Sequence, residues 1–582
     1  MSRLAILRKH MKEHNISAVV IPTADMHLSE YISDHFKLRE YLSGFTGSAG
    51  TLVVTECDAG LWTDGRYYLQ AEKELRGSNI TLYKASEKDC IKIYEFLKNN
   101  LRENSAVGLD GRLFSKKYLD DFILKLGSIR VNTAYDPAEI WKNRPPEPTG
   151  KAFILEKKYS GESVAKKLSR VRELMRKDSL THYLITAPDC VAWLLNIRGN
   201  DVKYTPVMLS YIMMTEERVT LYTNRKKLTT KAIDYLSLHN IEVADYDRVY
   251  EDAESLSKED YVGADFSLTN FSLINKLSCP KKDIRDFVYN LKAIKNNTEI
   301  ENIKCAYIKE NIALTKSFYK IYATQNLDEC TVVDIIENQR KKFPEYYFPS
   351  FGTISAFREN AAVIHYSPQK ENCAKINGNG LLLIDTGGQY TEGTTDTTRT
   401  LAIGEITDEE KESLTLVLKS HIALLTAVFP EGTRCSELDA LARIPLWKKG
   451  LDYRYSTGHG IGYLLSVHEG PQRLSFSCNE VLKVNMTVSD EPGIYIEGEY
   501  GIRTENHLCV KEAFETEYGK FLGFEVLNYC PIGTQSLLPN ILTNEEKEWV
   551  NEYNNECRRL ITPYLTKEEK KWLISYTATI EN

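Results

Sequence analysis

Five residues in the second half of the chain have the types that ligate metals, and each falls on a strand or a strand edge: Asp385, Asp396, His459, Glu491 and Glu505. Asp385 ends the apolar run LLLID. Asp396 opens the returning strand after the turn GGQYTEGTT. His459 sits in the glycine-flanked segment TGHGIG, Glu491 ends TVSDE directly before Pro492, and Glu505 lies in GIRTEN. Four apolar residues precede Asp385, so a hairpin here can hold its carboxylate away from bulk water. A buried, unpaired carboxylate is too costly to keep ionised; it takes a proton, finds a partner or binds a metal. Four carboxylates gathered near one imidazole would carry about four negative charges, which two divalent cations would cancel. Mixed oxygen and nitrogen ligands suit manganese, cobalt, zinc or iron more than copper or calcium. Two such ions ~3.5–4 Å apart can hold a bridging hydroxide and polarise a carbonyl.

Taken singly, each residue also has an ordinary structural reading. Asp385 and Asp396 are at positions where Asp forms turns. Glu491 before a proline can simply be solvated, Glu505 can pair with Arg503, and His459 can be a loop residue. Composition and spacing alone do not bring the five together.

The elements that would have to position them follow from the rest of the chain. Its 582 residues suggest three to five domains. It is 42% hydrophobic and 27% charged, an ordinary globular balance that can bury a sizeable core. A net charge of -7 gives no basic field, so nucleic acid is not expected as a partner. No apolar run approaches the ~18 residues of a membrane helix, so no membrane association is expected. The segment MSRLAILRKHMKEHN lacks the apolar stretch of a signal peptide. Twelve cysteines without a C-x-x-C pair read as free thiols in a reducing compartment, which predicts a cytoplasmic location.

An internal repeat shapes the first half. The helical pattern at residues 3–14 and the apolar strand ISAVVIPTAD recur as KKLSRVRELMRKDS and LTHYLITAPD, the two strands aligned at an offset of 164. TECDAGLWTDGR is answered by TEERVTLYTNR. Two tandem α/β domains of similar build are predicted, divided by the proline-rich linker WKNRPPEPTGKA. The expected boundaries are 1–148, 149–290 and 291–582. The third segment starts with a long helical pattern from about Ile300 and continues as an α+β domain with strands at Thr487–Asp490, Gly493–Ile496 and Ile502–Val510. A helix is predicted to open at Thr407, where Thr407 and Glu410 make a capping box, and to run to about Val428. The last 70 residues read as a polar, helical appendage, with an extension over about 515–582.

The order and context of the five candidates resemble the metallopeptidases of the pita-bread fold. That family holds two metals with Asp, Asp, His, Glu and Glu in this chain order. The two Asp eleven residues apart, the glycine-flanked His, the segment Glu491-Pro492-Gly493-x-Tyr495 and the final Arg503-x-Glu505-Asn506 all match. VIHYSP, STGHGIGYLLSVHEGP and SDEPGIYIEGEYGIRTEN are similar to the eukaryotic-type, three-domain cytosolic aminopeptidase P family. So are IPTADMHLSEYIS, YLSGFTGSAG, LWTDGRYYLQA and the run from FLGFEVL to WLISYT, so the resemblance covers essentially the whole chain.

The resemblance implies a fold of two creatinase-like α/β domains followed by a pita-bread catalytic domain. It implies a homodimer, and an aminopeptidase that releases the first residue of peptides with proline second through a metal-bridging hydroxide. The cofactors implied are two divalent ions, manganese first, with zinc or cobalt as alternatives. Asp385 would chelate one ion and Asp396 would bridge both. His459 and Glu491 would hold the other, and Glu505 would bridge. Glu491 would also be the general base. His365 and His468 would bind the peptide, stabilise the gem-diolate and pass a proton toward the leaving nitrogen. Arg503 and Tyr495 would shape the substrate site. Arg66 matches a first-domain arginine linked to peptide binding in relatives, though a turn-stabilising role fits it equally. One departure stands out: Tyr455 occupies a position where many close relatives carry a histidine, near the proline pocket. Two alternatives remain open: a prolidase-like Xaa-Pro dipeptidase, and a binding relative without catalysis.

Overall fold

The computed structural model describes residues 2–370 and 373–581. They divide into two compact units, one of residues 1–155 with 162–289 and one of residues 156–161 with 290–582.

The first unit contains two six-stranded sheets. The first is built from β1 (Ala18–Pro22), β2 (Thr51–Thr55), β3 (Ala59–Thr63), β4 (Thr81–Lys84), β5 (Ala106–Gly108) and β6 (Arg130–Asn132), in the order β4-β3-β2-β1-β5-β6. The second uses β7 (His182–Ile185), β8 (Ser210–Met214), β9 (Val219–Thr223), β10 (Ile241–Ala244), β11 (Val262–Ala264) and β12 (Lys281–Asp283), in the order β10-β9-β8-β7-β11-β12. The strand order is the same in both, and so is the pattern of parallel and antiparallel neighbours. The offset-164 repeat therefore corresponds to a repeated topology.

The reason lies in the apolar runs. β1 reads AVVIP and is buried along nearly its whole length. Val19 and Ile21 enter one core cluster while Ala18 and Val20 enter another, as strand alternation between two covered faces requires. Helix α1 (Arg3–Glu13) covers one face with Leu4, Leu7 and Met11, spaced to share one helical stripe. Helix α2 (Val164–Lys177) repeats that role over the second sheet, burying Leu168, Val171 and Met175.

The second unit is organised around β13 (Ile354–Phe357), β14 (Gly380–Thr386) and β15 (Thr397–Ile403), with β14 in the middle. All seven residues of β14 are buried. Helix α3 (Asn297–Ala323) and helix α4 (Glu329–Arg340) carry a buried ion pair that secures the turn between Asp385 and Asp396. Glu310 of α3 receives Arg340 Nε of α4 at 3.0 Å, and the hydroxyl of Tyr390, in that turn, donates to Glu310 Oε2 at 2.8 Å. One helical turn earlier, the Tyr307 hydroxyl accepts the backbone N–H of Asp396 at 3.0 Å. Helix α5 (Asp408–Leu425) opens with the expected Thr407/Glu410 capping box and ends three residues short of the sequence expectation.

Two expectations are corrected. After β16 (Thr487–Asp490) and β17 (Gly493–Ile496), which form where expected, the run Ile502–Val510 is two strands, β18 (Tyr500–Arg503) and β19 (Asn506–Thr516), because the chain breaks at Thr504–Glu505. The final segment is not helical throughout: β19 pairs with β20 (Gly519–Val526) in a hairpin, and among the described residues α-helices appear only at Asn544–Ile561 and Lys567–Tyr576. Charged residues in the outer half of β19, Lys511, Glu512 and Glu515, break the alternation that would identify it as a strand.

The clamp on the Asp385–Asp396 turn yields a prediction. Glu310→Ala strands a buried guanidinium and the Tyr390 hydroxyl, and should cost about 3–5 kcal/mol in denaturant unfolding. A loss below about 1 kcal/mol would contradict this role for the pair.

Candidate metal centre

The architecture brings four strand ends to one place. Asp385 is the penultimate residue of β14 and lies opposite Thr398 of β15; Asp396 directly precedes that strand. β16 (Thr487–Asp490) pairs with β19 so that Asp490 faces Asn506. Extending that register by one residue sets Glu491 opposite Glu505. The break at Thr504–Glu505 turns Glu505 toward β15, where Thr398 Oγ1 donates to Glu505 Oε2 at 2.8 Å and the Glu505 N–H donates to the Thr398 carbonyl at 3.1 Å.

His459 enters from a separate loop. Its Nε2 lies 3.3 Å from Glu491 Oε1 and 3.5 Å from Asp396 Oδ2. Its Nδ1 lies 2.9 Å from the carbonyl of Gly460. A carbonyl only accepts, so Nδ1 carries the proton and Nε2 presents its lone pair to the carboxylates. The flanking glycines are a packing requirement: a Cβ on Gly458 would lie 1.8 Å from the Ser489 carbonyl oxygen, and one on Gly460 would lie 2.0 Å from that of Glu469.

Asp396, His459 and Glu505 each offer one ligand atom, all within 4.8 Å of one another. Asp385 completes the cluster through Arg503, whose guanidinium bonds the Asp385 carboxylate and the Tyr495 hydroxyl. Arg503 Nε also lies 4.0 Å from Glu491 Oε2. The alternative Arg503–Glu505 pair is thus not the one formed; the guanidinium goes to Asp385.

Asp396, Glu491 and Glu505 have strongly altered proton affinities. Burial pushes Asp396 well above the ordinary carboxylate range, and the neighbouring Asp385 and Glu491 add to the shift. Glu505 is pushed well up by burial, then by Asp396, Glu491 and Asp385. Glu491 rises to about 7, driven by burial and by Asp385 against the opposing Arg503 and His468. One guanidinium cannot balance four carboxylates. Asp385 Oδ1 is also buried without a hydrogen-bond partner. Oxygen-rich ligands around one imidazole lone pair, short of positive charge, fit divalent cations.

The remaining candidates fall in three settings. His468 is half-buried and its ring stands edge-on to that of His459, with centroids 4.4 Å apart. Its loop is held by Glu469, which forms an ion pair with Lys292 Nζ at 2.7 Å and accepts from Lys295 Nζ at 2.6 Å, all three side chains buried. Burial would raise the Glu469 pKa, but the two ammonium groups hold it below its ordinary value. His365 is half-buried in the turn after Arg358–Ala362, and its neighbour Tyr366 packs on the same small apolar cluster as Tyr495. Tyr455 donates to the Glu491 carbonyl at 2.9 Å, and its hydroxyl lies 3.0 Å from that of Tyr495. Burial raises both phenols, so they stay protonated donors. Arg66 belongs to the other unit, where it forms a two-pronged contact with Asp64, Nε to Oδ1 and Nη2 to Oδ2 at 2.8 Å each. That is the turn-stabilising geometry.

Tyr307 and His507 were not legible as site residues. The Tyr307 hydroxyl touches the Asp396 backbone and lies 2.9 Å from His507 Nδ1. His507 is buried two residues past Glu505, and burial lowers its pKa to about 3. Nothing in the sequence marked them: only five of the eleven histidines lie in this half, which is no enrichment.

Profiles of known protein families match most of the chain. Residues 301–512 match the profile of metallopeptidase family M24. Residues 3–132 and 143–299 match the creatinase/prolidase N-terminal domain, and 520–580 the C-terminal region of peptidase M24. A probable Xaa-Pro aminopeptidase P of Coprinopsis cinerea is 38% identical, the alignment covering 96% of this chain and 95% of that one. The chain belongs to metallopeptidase family M24. Another M24 relative, aminopeptidase P1 of Arabidopsis thaliana, is 36% identical over 96% of each chain. Among solved structures, the Caenorhabditis elegans X-prolyl aminopeptidase, described as a cytosolic enzyme with a di-nuclear active site, matches with TM-score 0.95 and 31% identity over 99% of each chain. The prolidase of Pyrococcus furiosus, 25% identical with TM-score 0.50, covers 61% of this M24 chain and 98% of its own. The fold is therefore two creatinase-type domains and an M24 pita-bread domain.

The proton affinities give a pH dependence. In the metal-free protein, the folded state holds protons on Asp396, Glu505 and Glu491 that the unfolded chain releases near pH 4. Their contribution is complete below that pH and is lost as pH rises through the raised folded-state values, about 7 for Glu491, because the folded state binds more protons. Thermal unfolding of metal-stripped protein should show Tm falling from pH 5 to pH 8, with a shallower fall in Asp396→Asn. Added Mn2+ should raise Tm more at pH 8 than at pH 5. A metal-free Tm that rises over this range equally in both proteins would contradict the assignment.

Proposed function

We propose that the chain is a metal-dependent aminopeptidase that hydrolyses the first peptide bond when proline is the second residue. The observation that carries this reading is near-full-length similarity to Xaa-Pro aminopeptidases P in a chain whose Asp385, Asp396, His459, Glu491 and Glu505 converge at one buried point. These five would hold two divalent ions, which when bound supply the charge that acidifies a water and polarises the scissile carbonyl. Manganese is the preferred assignment because four of the five ligands are carboxylates; zinc and cobalt take the same set.

Each protein group then has a task. Glu491 takes the proton from the attacking water. Its carboxylate is oriented by the Ser489 hydroxyl at 3.3 Å and faces His468, so the proton has an imidazole to move to. His468 and His365 hold the carbonyl and the developing gem-diolate and protonate the proline nitrogen as it leaves. Arg503 fixes Asp385 and aims the Tyr495 hydroxyl. Proline lacks an N–H and fixes φ, so its recognition must come from shape and ring contact. Tyr455 and Tyr495, edge-to-face with centroids 5.7 Å apart, supply an aromatic wall, with Tyr455 as hydrogen-bond donor where relatives use histidine. Arg66 keeps the role of a proposed peptide-binding residue beside its turn-stabilising contact with Asp64.

Further parts of the proposal are domain boundaries near residues 148 and 290, an extension over about 515–582, a homodimer and a cytoplasmic location. Profile matches that change between residues 132 and 143 and between 299 and 301 support the divisions. Free cysteines among the described residues support a reducing compartment. Exposed Phe514 and Tyr518 on the β19–β20 hairpin are the apolar residues a partner copy would cover.

Three assays test the reading. A tripeptide with proline second should be cleaved, and replacing that proline by alanine should lower kcat/KM by at least about 100-fold. Asp385→Ala and Glu505→Ala should lose bound metal and about 10³-fold or more in kcat. Cleavage of Xaa-Pro dipeptides alone would make it a prolidase. Wild-type protein with neither metal nor cleavage would make it a binding relative.

A further inference from the structure

Among the described residues, two groups of three metal-ligating side chains bring one ligand atom each to within 4.8 Å of one another. One is the centre above. The other lies in the first unit: His10, His14 and Glu139. We propose that these three form a separate site for a divalent first-row transition ion, zinc being the best match, that ties the N-terminal helix to the end of the first sheet domain.

The helix supplies two of the ligands. His10 lies in the last turn of α1 and His14 caps it, four residues apart, so the imidazoles project from the same face. Their ring centroids are 4.2 Å apart. His14 Nδ1 lies 2.9 Å from the backbone carbonyl of His10. That carbonyl only accepts, so Nδ1 holds the proton and Nε2 keeps an available lone pair. His10 Nδ1 lies 2.7 Å from the Tyr135 hydroxyl, a contact that fixes the ring and leaves Nε2 facing outward to Glu139. An imidazole held at its second nitrogen by an oxygen is the arrangement metal-ligating histidines use.

Glu139 supplies the carboxylate from the short helical turn Pro137–Ile140. Its Oε2 lies 3.3 Å from His10 Nε2. Ligands at ~2.0–2.1 Å in a tetrahedron are about 3.3–3.4 Å apart, so this edge is already at coordination spacing. Closing the 4.8 Å span to that value needs only rotation of exposed side chains; His14 and Glu139 are both exposed. Two histidines and one glutamate form a set zinc accepts, with water in the fourth position. The ion takes the Nε2 lone pair of the His10 tautomer that carries its single proton on Nδ1, where it donates to the Tyr135 hydroxyl; a ring protonated at Nε2 first exchanges that proton to Nδ1 through solvent, and an imidazolium releases its Nε2 proton to solvent. The rival is a plain hydrogen bond between His10 and Glu139 with no affinity for metal.

The test compares zinc stoichiometry in the full-length protein and in His14→Gln, both first saturated with Mn2+. Whatever Zn2+ does at the catalytic centre is common to both, so the difference isolates this site. Calorimetric titration should count one more zinc per chain in the wild type. Glu139→Gln should weaken that added site at least tenfold. His14 is exposed, so the substitution should leave folding and peptidase activity unchanged, and circular dichroism checks this in the same samples. Equal zinc counts in wild type and a folded His14→Gln would overturn the site.

Discussion

The structure depends on an excess of buried negative charge. Asp385, Asp396, Glu491 and Glu505 meet at the ends of four strands with Arg503 as the fixed cation among them. Left alone, the cluster takes up protons, as the raised affinities of Asp396, Glu491 and Glu505 show. Cations replace those protons, and the same replacement turns an electrostatic cost into a site able to activate water. A protein gains nothing in stability from assembling such a cluster without them.

Much of the surrounding second unit makes sense as support for that convergence. The buried strand β14 fixes Asp385 by pairing on both sides. Helix α3 grips the turn to Asp396 twice, through Tyr307 and through Glu310 with Arg340 and Tyr390. The glycines around His459 let its loop pass against the Ser489 and Glu469 backbone. The Lys292–Glu469–Lys295 cluster then holds the loop carrying His468. These supports are buried polar contacts, which give geometric definition more reliably than net stability.

The sequence made some of this readable and concealed the rest. Apolar runs such as AVVIP and LLLID announce central strands, and the offset-164 repeat anticipated two sheets of one topology. The ligands were recognisable as an ordered set through resemblance; taken one by one, each had an ordinary reading. Partner choice was not readable: Arg503 sits two residues from Glu505 yet bonds Asp385, far away in sequence, because strand register decides which side chains meet. Tyr307 and Glu310 looked like ordinary helix positions, since their partners lie 30 to 200 residues away or are backbone groups. The β19–β20 hairpin was missed because its exposed charged residues dilute the alternation that marks a strand.

The central claim is that buried carboxyl protons and divalent cations exchange for one another. Calorimetric titration of metal-stripped protein with Mn2+ at pH 7, in buffers of different ionisation enthalpy, measures protons released on binding. Release of at least one proton per chain is the result this account predicts. Binding at the centre with no proton release would contradict it.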